Sequence, residues 1–328
     1  MVCGTFWSPL GITMPLLMLT LVFFFLPLTL PAQVSQDLTK RLADLERRVS
    51  QLEAENRSLR GTLSVLKYVQ QSEDGHTVEL KQQGELIAKL IVAKDGWGDS
   101  RVEDVAAVAE SVAETIFEVI PPEDKPTILV TRSKYGPRTL SNRGPNNEYI
   151  IFLNTGDRLW AQLSYQLSHE LGHVLCRDID PNANQHWFEE SFCEALSLWT
   201  METMAQSWKT KPPYPSWASY AKNLGQYVVN IKDKVNRPQD MGIWYATHRE
   251  LLDRESVDRE KNRIVAAHIA SRGKARPEYL NAFLYLRTGR KSANQIEPFL
   301  NSWLESCPDH LKFVPRDIAL LLNVQMGR

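Results

Sequence analysis

The sequence has no charged side chain before Asp37, no CxxC pair, no block of Lys and Arg, and no internal repeat. Each absence removes a class of protein. Cys3, Cys176, Cys193 and Cys307 stand singly, which excludes a zinc ribbon and a thioredoxin-like redox pair. A formal net charge of -1, with both signs spread along the chain, gives no basic footprint for a polyanion, so nucleic acid is not an expected partner. The uncharged N-terminus is informative in the other direction. The run PLLMLTLVFFFLPLTLPA, 15–32, is apolar almost throughout. About 20 apolar residues span a bilayer, whereas a signal peptide has a shorter core and a basic start. Residues 1–33 are therefore expected to be a retained single-pass membrane anchor, with cleavage near Leu30-Pro31-Ala32 as the alternative. Lys40, Arg41, Arg47 and Arg48 follow the run, and a strict positive-inside count would keep the body in the cytoplasm. Those residues alternate with acids in a helical pattern, and the expectation adopted is an extracytoplasmic body.

After the anchor, Leu38, Leu42, Leu45, Val49, Leu52, Asn56, Leu59, Leu63 and Leu66 recur in an unbroken 4-3 alternation. Leucine fills every d position and Asn56 one a position, where a polar residue fixes register in a parallel dimer. Across such a dimer, Arg41 would meet Glu46, Arg48 would meet Glu53, and Glu55 would meet Arg60, all attractive. Residues 34–68 are expected to form a coiled-coil stalk and a parallel homodimer. The alternative is one amphipathic helix packed on its own body, which usually carries a wider apolar face.

Beyond the stalk the pattern is mixed. Alternation around 77–81, LIAKLIV at 86–92, TILVTR at 127–132 and EYIIFLNT at 148–155 read as strands, and 102–120 reads as a helix. A Gly/Pro/Asn loop, SKYGPRTLSNRGPNN, precedes the last strand, and a helix follows from about 157 to 176. From 186 onward the periodicity is helical, broken at KPPYPS. The expected fold class is α+β: a mixed β-sheet with a following helix over 76–210, and a helical C-terminal region over 211–328.

In YQLSHELGHVLCRD, 165–178, two histidines and a glutamate fall within five residues of an otherwise apolar run. Gln162, Gln166, His169, His173 and Cys176 form one polar stripe, opposite a core stripe of Trp160, Leu163, Leu167, Leu171 and Val174. Imidazoles at i and i+4 on one face can converge on a metal ion, and Glu170 beside them can reach a water on that ion. A zinc site of this kind needs a third protein ligand. The next helix, HWFEESFCEALSLW, 186–199, has a core stripe of Phe188, Phe192, Ala195 and Trp199, with His186, Glu190, Glu194 and Ser197 on another face. Glu189 shares a face with Cys193 and Leu196 and is expected to point partly away. The helix-face argument leaves Glu190 and Glu194 both open.

HELGH followed by a helix reading WFEESFCEALS resembles the gluzincin metallopeptidases, whose pattern is HExxH and then a downstream helix carrying a glutamate ligand. The resemblance covers roughly 148–200. It implies a zincin-like body, Zn2+ held by His169, His173 and Glu190, Glu194 as an acid behind a ligand, and Glu170 as general base. It implies hydrolysis of a peptide or protein substrate, with EYIIFLNT as the cleft-edge strand. A donor to the developing oxyanion would come from Tyr245, His248 or His186. No exopeptidase motif, calcium-site run or second histidine helix is found, so no subfamily is assigned. Gly172, a poor helix residue, marks the close approach of another segment. Cys176 and Cys193 each follow a proposed ligand by three residues and are expected to lie close; a disulfide between them in an extracytoplasmic body and two small buried apolar side chains are both open. Two other readings remain: a membrane-tethered scaffold whose working part is the zipper, and a pseudo-peptidase whose polar network is structural.

Overall fold

The computed structural model describes residues 32–176, 185–255, 257–286 and 295–327. The apolar run ahead of Ala32 lies outside them. No helix among the described residues is long and apolar enough to cross a membrane. A single long helix, α1 (Ala32–Asp74), opens the described chain and spans the expected stalk. Along it Leu42, Leu45, Val49 and Leu52 are 53–62% exposed, so the heptad stripe is uncovered there. Leu63–Arg328 forms a compact unit of its own.

That unit is α+β, built on a five-stranded mixed sheet in the order β1-β2-β3-β5-β4. β1 (His76–Gln82) and β2 (Glu85–Val92) form a hairpin. Its two-residue turn puts Gln83 at φ 53° and Gly84 at φ 84°, the left-handed pair that matches strand twist. β2, β3 (Thr127–Arg132) and β5 (Tyr149–Leu153) run parallel, and helix α2 (Val102–Phe117) connects β2 to β3. β4 (Arg138–Thr139) pairs antiparallel with β5 and forms the edge.

This topology corrects one expectation. EYIIFLNT is an interior strand, with every residue of YIIFL buried, and the edge of the sheet on that side is the short β4 drawn from the Gly/Pro/Asn loop. A strand buried on both faces reads as a continuous apolar run, which is what YIIFL is. Tyr149, Ile151 and Leu153 join the main core on the helix side. Ile150 and Phe152 face the other way beside Ile91 and Leu129 of the neighbouring strands, and Leu140 and Tyr68, the latter from the last turns of α1, pack against this second cluster.

Helix α3 (Trp160–Cys176) follows β5, and Gln166 ties the two together by accepting from the Asn154 backbone N–H at 2.8 Å. Helix α4 (His186–Ser207) packs along α3 and is buried on nearly every side. The rest is helical: α5 (Ala221–Lys232), α6 (Met241–Arg254), α7 (Arg259–Ala275), α8 (Ile296–Ser306) and α9 (Phe313–Leu322), with 3-10 turns at Pro215–Tyr220 and Pro277–Tyr285. α4 packs against α5 and α7, so the regions before and after 210 share one core. Phe192 stacks on Phe283 at 4.0 Å, and Phe188 sits among Phe283, Phe299 and Trp303. These aromatic contacts hold the first two turns of α4 in a fixed rotation, which decides where its acids point.

Candidate metal centre

α3 and α4 cross at Gly172. A Cβ built there would lie 2.8 Å from Cys193 Sγ and 3.2 Å from its Cα, closer than a side chain tolerates. The glycine lets the helices approach until the faces carrying His169, His173 and the acids of α4 meet. The expected close approach is thus found, and Cys193 is the residue that makes it. Cys176 and Cys193 are buried and not joined by a disulfide, and Cys176 Sγ lies 3.9 Å from the Phe283 carbonyl.

The crossing brings three of the expected ligands together. His169 Nε2 is 3.3 Å from Glu190 Oε2, and His173 Nε2 is 3.5 Å from Glu190 Oε1. One donor atom from each of the three lies within 4.8 Å of the others. Ligands about 2.0–2.1 Å from a tetrahedral zinc stand about 3.3 Å apart, so the observed separations match such a set. The imidazoles are backed on their far sides. His173 Nδ1 sits 2.5 Å from Glu189 Oε1, and His169 Nδ1 lies 3.8 Å from Glu194 Oε2. A carboxylate at the second ring nitrogen fixes tautomer and orientation, which zinc-binding histidines need.

Glu189 therefore does not point away from the centre. It is fully buried, and its carboxylate holds His173. The face it shares with Cys193 is the face that α3 meets at Gly172. Glu194 is held by two partners, Tyr165, which donates its hydroxyl to Oε1, and Arg263, which donates Nε–H to the same oxygen at 2.8 Å, while Oε2 faces His169 Nδ1 at 3.8 Å. The arginine beside it raises no conflict with burial, because a buried carboxylate requires a cation or donors. α7 carries Arg263 to this point, and Asn262 Nδ2 donates to the Trp187 carbonyl at 2.9 Å to fix α7 on α4.

Glu170 is almost wholly buried, and the Thr139 hydroxyl on β4 lies 2.8 Å from its Oε2 and 3.1 Å from its backbone carbonyl. Of the three expected oxyanion donors, only His186 is brought to the centre. Its ring stacks on His173 at 6.1 Å, and its Nδ1 is 3.7 Å from Glu190 Oε1. Tyr245 stacks instead on Trp187, and its hydroxyl is buried near Asp253 and Arg249. His248 stacks on Trp244, with Nδ1 2.7 Å from that residue's carbonyl.

The electrostatics favour a cation. Burial works against a charged His169, yet the hydrogen bond to Glu190 and the charges of Glu170, Glu190 and Glu194 carry its pKa up to about 9. Burial also opposes ionised Glu190, but His169, His173 and His186 pull its carboxyl down to about 2. Carboxylates that raise an imidazole's affinity for a proton would equally attract a divalent cation. A second group, His173, Glu189 and Cys193, also lies within 4.8 Å and is wholly buried. Burial, first of all, raises the pKa of the Cys193 thiol well above its ordinary value. The donor set of His169, His173 and Glu190 fits zinc, and both of its imidazole Nε2 atoms face the same carboxylate.

Four contributors escape the sequence reading: Glu189, Tyr165, Arg263 and Thr139. Tyr165 carries a faint signal, one turn before His169 as Glu194 is one turn after Glu190. Arg263 and Thr139 carry none, since they arrive from distant segments. The chain matches no family model and no curated protein.

Proposed function

We propose that this protein is a zinc-dependent peptide hydrolase of the endopeptidase type, similar in its centre to the gluzincins. The observation that carries the reading is the convergence of both Nε2 atoms on Glu190 while both Nδ1 atoms face buried carboxylates. His169, His173 and Glu190 would hold the ion; zinc in such a site supplies Lewis acidity, acidifying water and polarising a carbonyl. Glu170 takes the proton of the attacking water and delivers it to the departing amine. Glu194, held by Arg263 and Tyr165, keeps His169 in its binding tautomer, and Glu189 does the same for His173. His186 stands beside Glu190 as a donor to the developing oxyanion. The open edge of β4 gives an extended peptide a strand to pair with, which suits a protein or peptide substrate without demanding a free terminus.

The proposal extends to the whole chain: an N-terminal membrane anchor, a parallel two-stranded stalk, and an extracytoplasmic body. The uncovered heptad stripe of α1 supports the stalk. The same stripe supports a second reading, a tethered scaffold in which the body only binds. Zinc analysis of purified protein together with cleavage of an unfolded protein, with and without chelator, separates the two. About one zinc per chain and chelator-sensitive cleavage supports the hydrolase; no zinc supports the scaffold; zinc without cleavage supports a pseudo-peptidase.

A further inference from the structure

We propose that Thr139 is a positioning residue for the base, coupling capture of the peptide strand on β4 to the alignment of Glu170; the idea rests on the hydrolase reading above. Three observations meet at this one side chain. The first is the hydrogen bond itself, 2.8 Å from Thr139 Oγ1 to Glu170 Oε2. Glu170 is only 2% exposed, so a partner that fixes one carboxylate oxygen leaves the other as its working atom. The second is strand geometry. In the β4–β5 ladder Leu140 N–H donates to the Ile150 carbonyl at 2.9 Å, and Thr139 stands opposite Ile151. Paired residues in an antiparallel ladder alternate between those that exchange hydrogen bonds and those that do not. Thr139 is therefore a non-bonded position whose own N–H and C=O point outward, to the open edge of the sheet. A peptide adding as the next strand would bond to the backbone of the residue whose side chain holds the base.

The third observation is that β4 is short and separately anchored. The turn between β4 and β5 is closed by Glu148, a buried carboxylate that accepts from the Asn146 backbone N–H at 2.8 Å and from Ser72 Oγ at 2.9 Å. Glu148 braces the far side of the turn. With that brace in place, the strand that receives substrate cannot shift without moving the hydroxyl that meets Glu170. The bond is between a hydroxyl donor and a carboxylate acceptor, so valine, which keeps the shape of threonine, removes the donor alone. Serine keeps the donor and loses only a methyl group.

The experiment compares Thr139→Val and Thr139→Ser with wild type in zinc content, kcat and KM on one peptide substrate. Thermal unfolding of Thr139→Val, Glu170→Ala and the double variant completes the set. Thr139→Val is expected to hold about one zinc per chain, keep KM within about twofold, and lose about 10- to 100-fold in kcat. Thr139→Ser should restore most of that loss. A role in folding alone would lower both variants' stability without separating kcat from KM. In the unfolding cycle, Thr139→Val should lower the melting temperature by about 2–4 °C in wild type and by less when Glu170 is already alanine. A Thr139→Val enzyme with wild-type kcat overturns the coupling while leaving the hydrolase reading intact. Equal melting shifts in both backgrounds overturn the contact. Wild-type protein that holds zinc and cleaves nothing overturns both readings at once.

Discussion

Glu189, Glu190 and Glu194 sit within six residues of one helix, yet the structure separates them by role, and single substitutions should separate them in solution. Glu190→Ala removes the one carboxylate that meets both Nε2 atoms, so zinc retention is expected to fail. Glu189→Ala and Glu194→Ala leave the ligand set intact and free one imidazole each, so zinc affinity should fall about 10- to 100-fold, measured by chelator competition. If Glu189→Ala binds zinc like wild type, its contact with His173 is structural only. Residues close in sequence explain most of what was legible at this scale. HELGH displays the two proposed ligands and the proposed base within one helical turn and a half, and the 4-residue spacing is itself the geometry. The role of Glu189 was hidden because a helix-face argument assumes one buried side. α4 is buried nearly all round, so a face that looked like core also meets α3. Arg263 and Thr139 lie 69 and 31 residues from their partners, and no local pattern marks them.

Two elements carry the geometry, the α3–α4 crossing and the β4–β5 turn. Gly172→Ala would press a methyl group into the Cα and Cβ of Cys193, not only into a movable sulfur. A cost of about 1–3 kcal/mol is expected from chemical unfolding, together with weaker zinc binding as the helices part. An alanine variant of wild-type stability would mean that the crossing is looser than described. At the turn, burial opposes ionisation of Glu148, but its own and Asn146's backbone N–H groups and the Asn146 and Ser72 side chains hold the carboxyl below its ordinary value. A carboxyl depressed in the folded state stabilises fully above the unfolded value and loses that contribution as pH falls through the folded one. Thermal stability should thus decline below about pH 4.3, the ordinary carboxylate range, and Glu148→Gln should flatten that part of the profile. An unchanged acid limb in Glu148→Gln would assign the decline to other acids. The hairpin, α2, β3 and α3 were legible because their apolar periods are regular. β4 was not, since two residues in a Gly/Pro/Asn loop have no period to read, and the edge role passed in expectation to its louder neighbour β5.

For the whole molecule the proposal is a tether, a stalk and a body, and the described residues begin at α1. Leu42, Leu45, Val49 and Leu52 stand uncovered on α1, and the expected charge pairs flank them, so a soluble fragment starting near Gln33 should sediment as a dimer at micromolar concentration. Asn56→Leu should raise the stability of that dimer and loosen its oligomeric specificity. A monomeric fragment would return the stripe to some other partner. The body is expected to work with or without its stalk partner, because every group of the centre comes from within Leu63–Arg328. The proposed hydrolase activity therefore depends on that centre, and Glu170→Gln is the substitution that probes it alone. The substitution keeps the shape of the side chain, a hydrogen-bond acceptor for Thr139 and all three ligands, and removes only the base. Purified Glu170→Gln protein should carry about one zinc per chain, as wild type does, while chelator-sensitive cleavage of an unfolded protein falls by orders of magnitude. Cleavage at the wild-type rate with zinc bound, or loss of the zinc itself, would contradict the assignment.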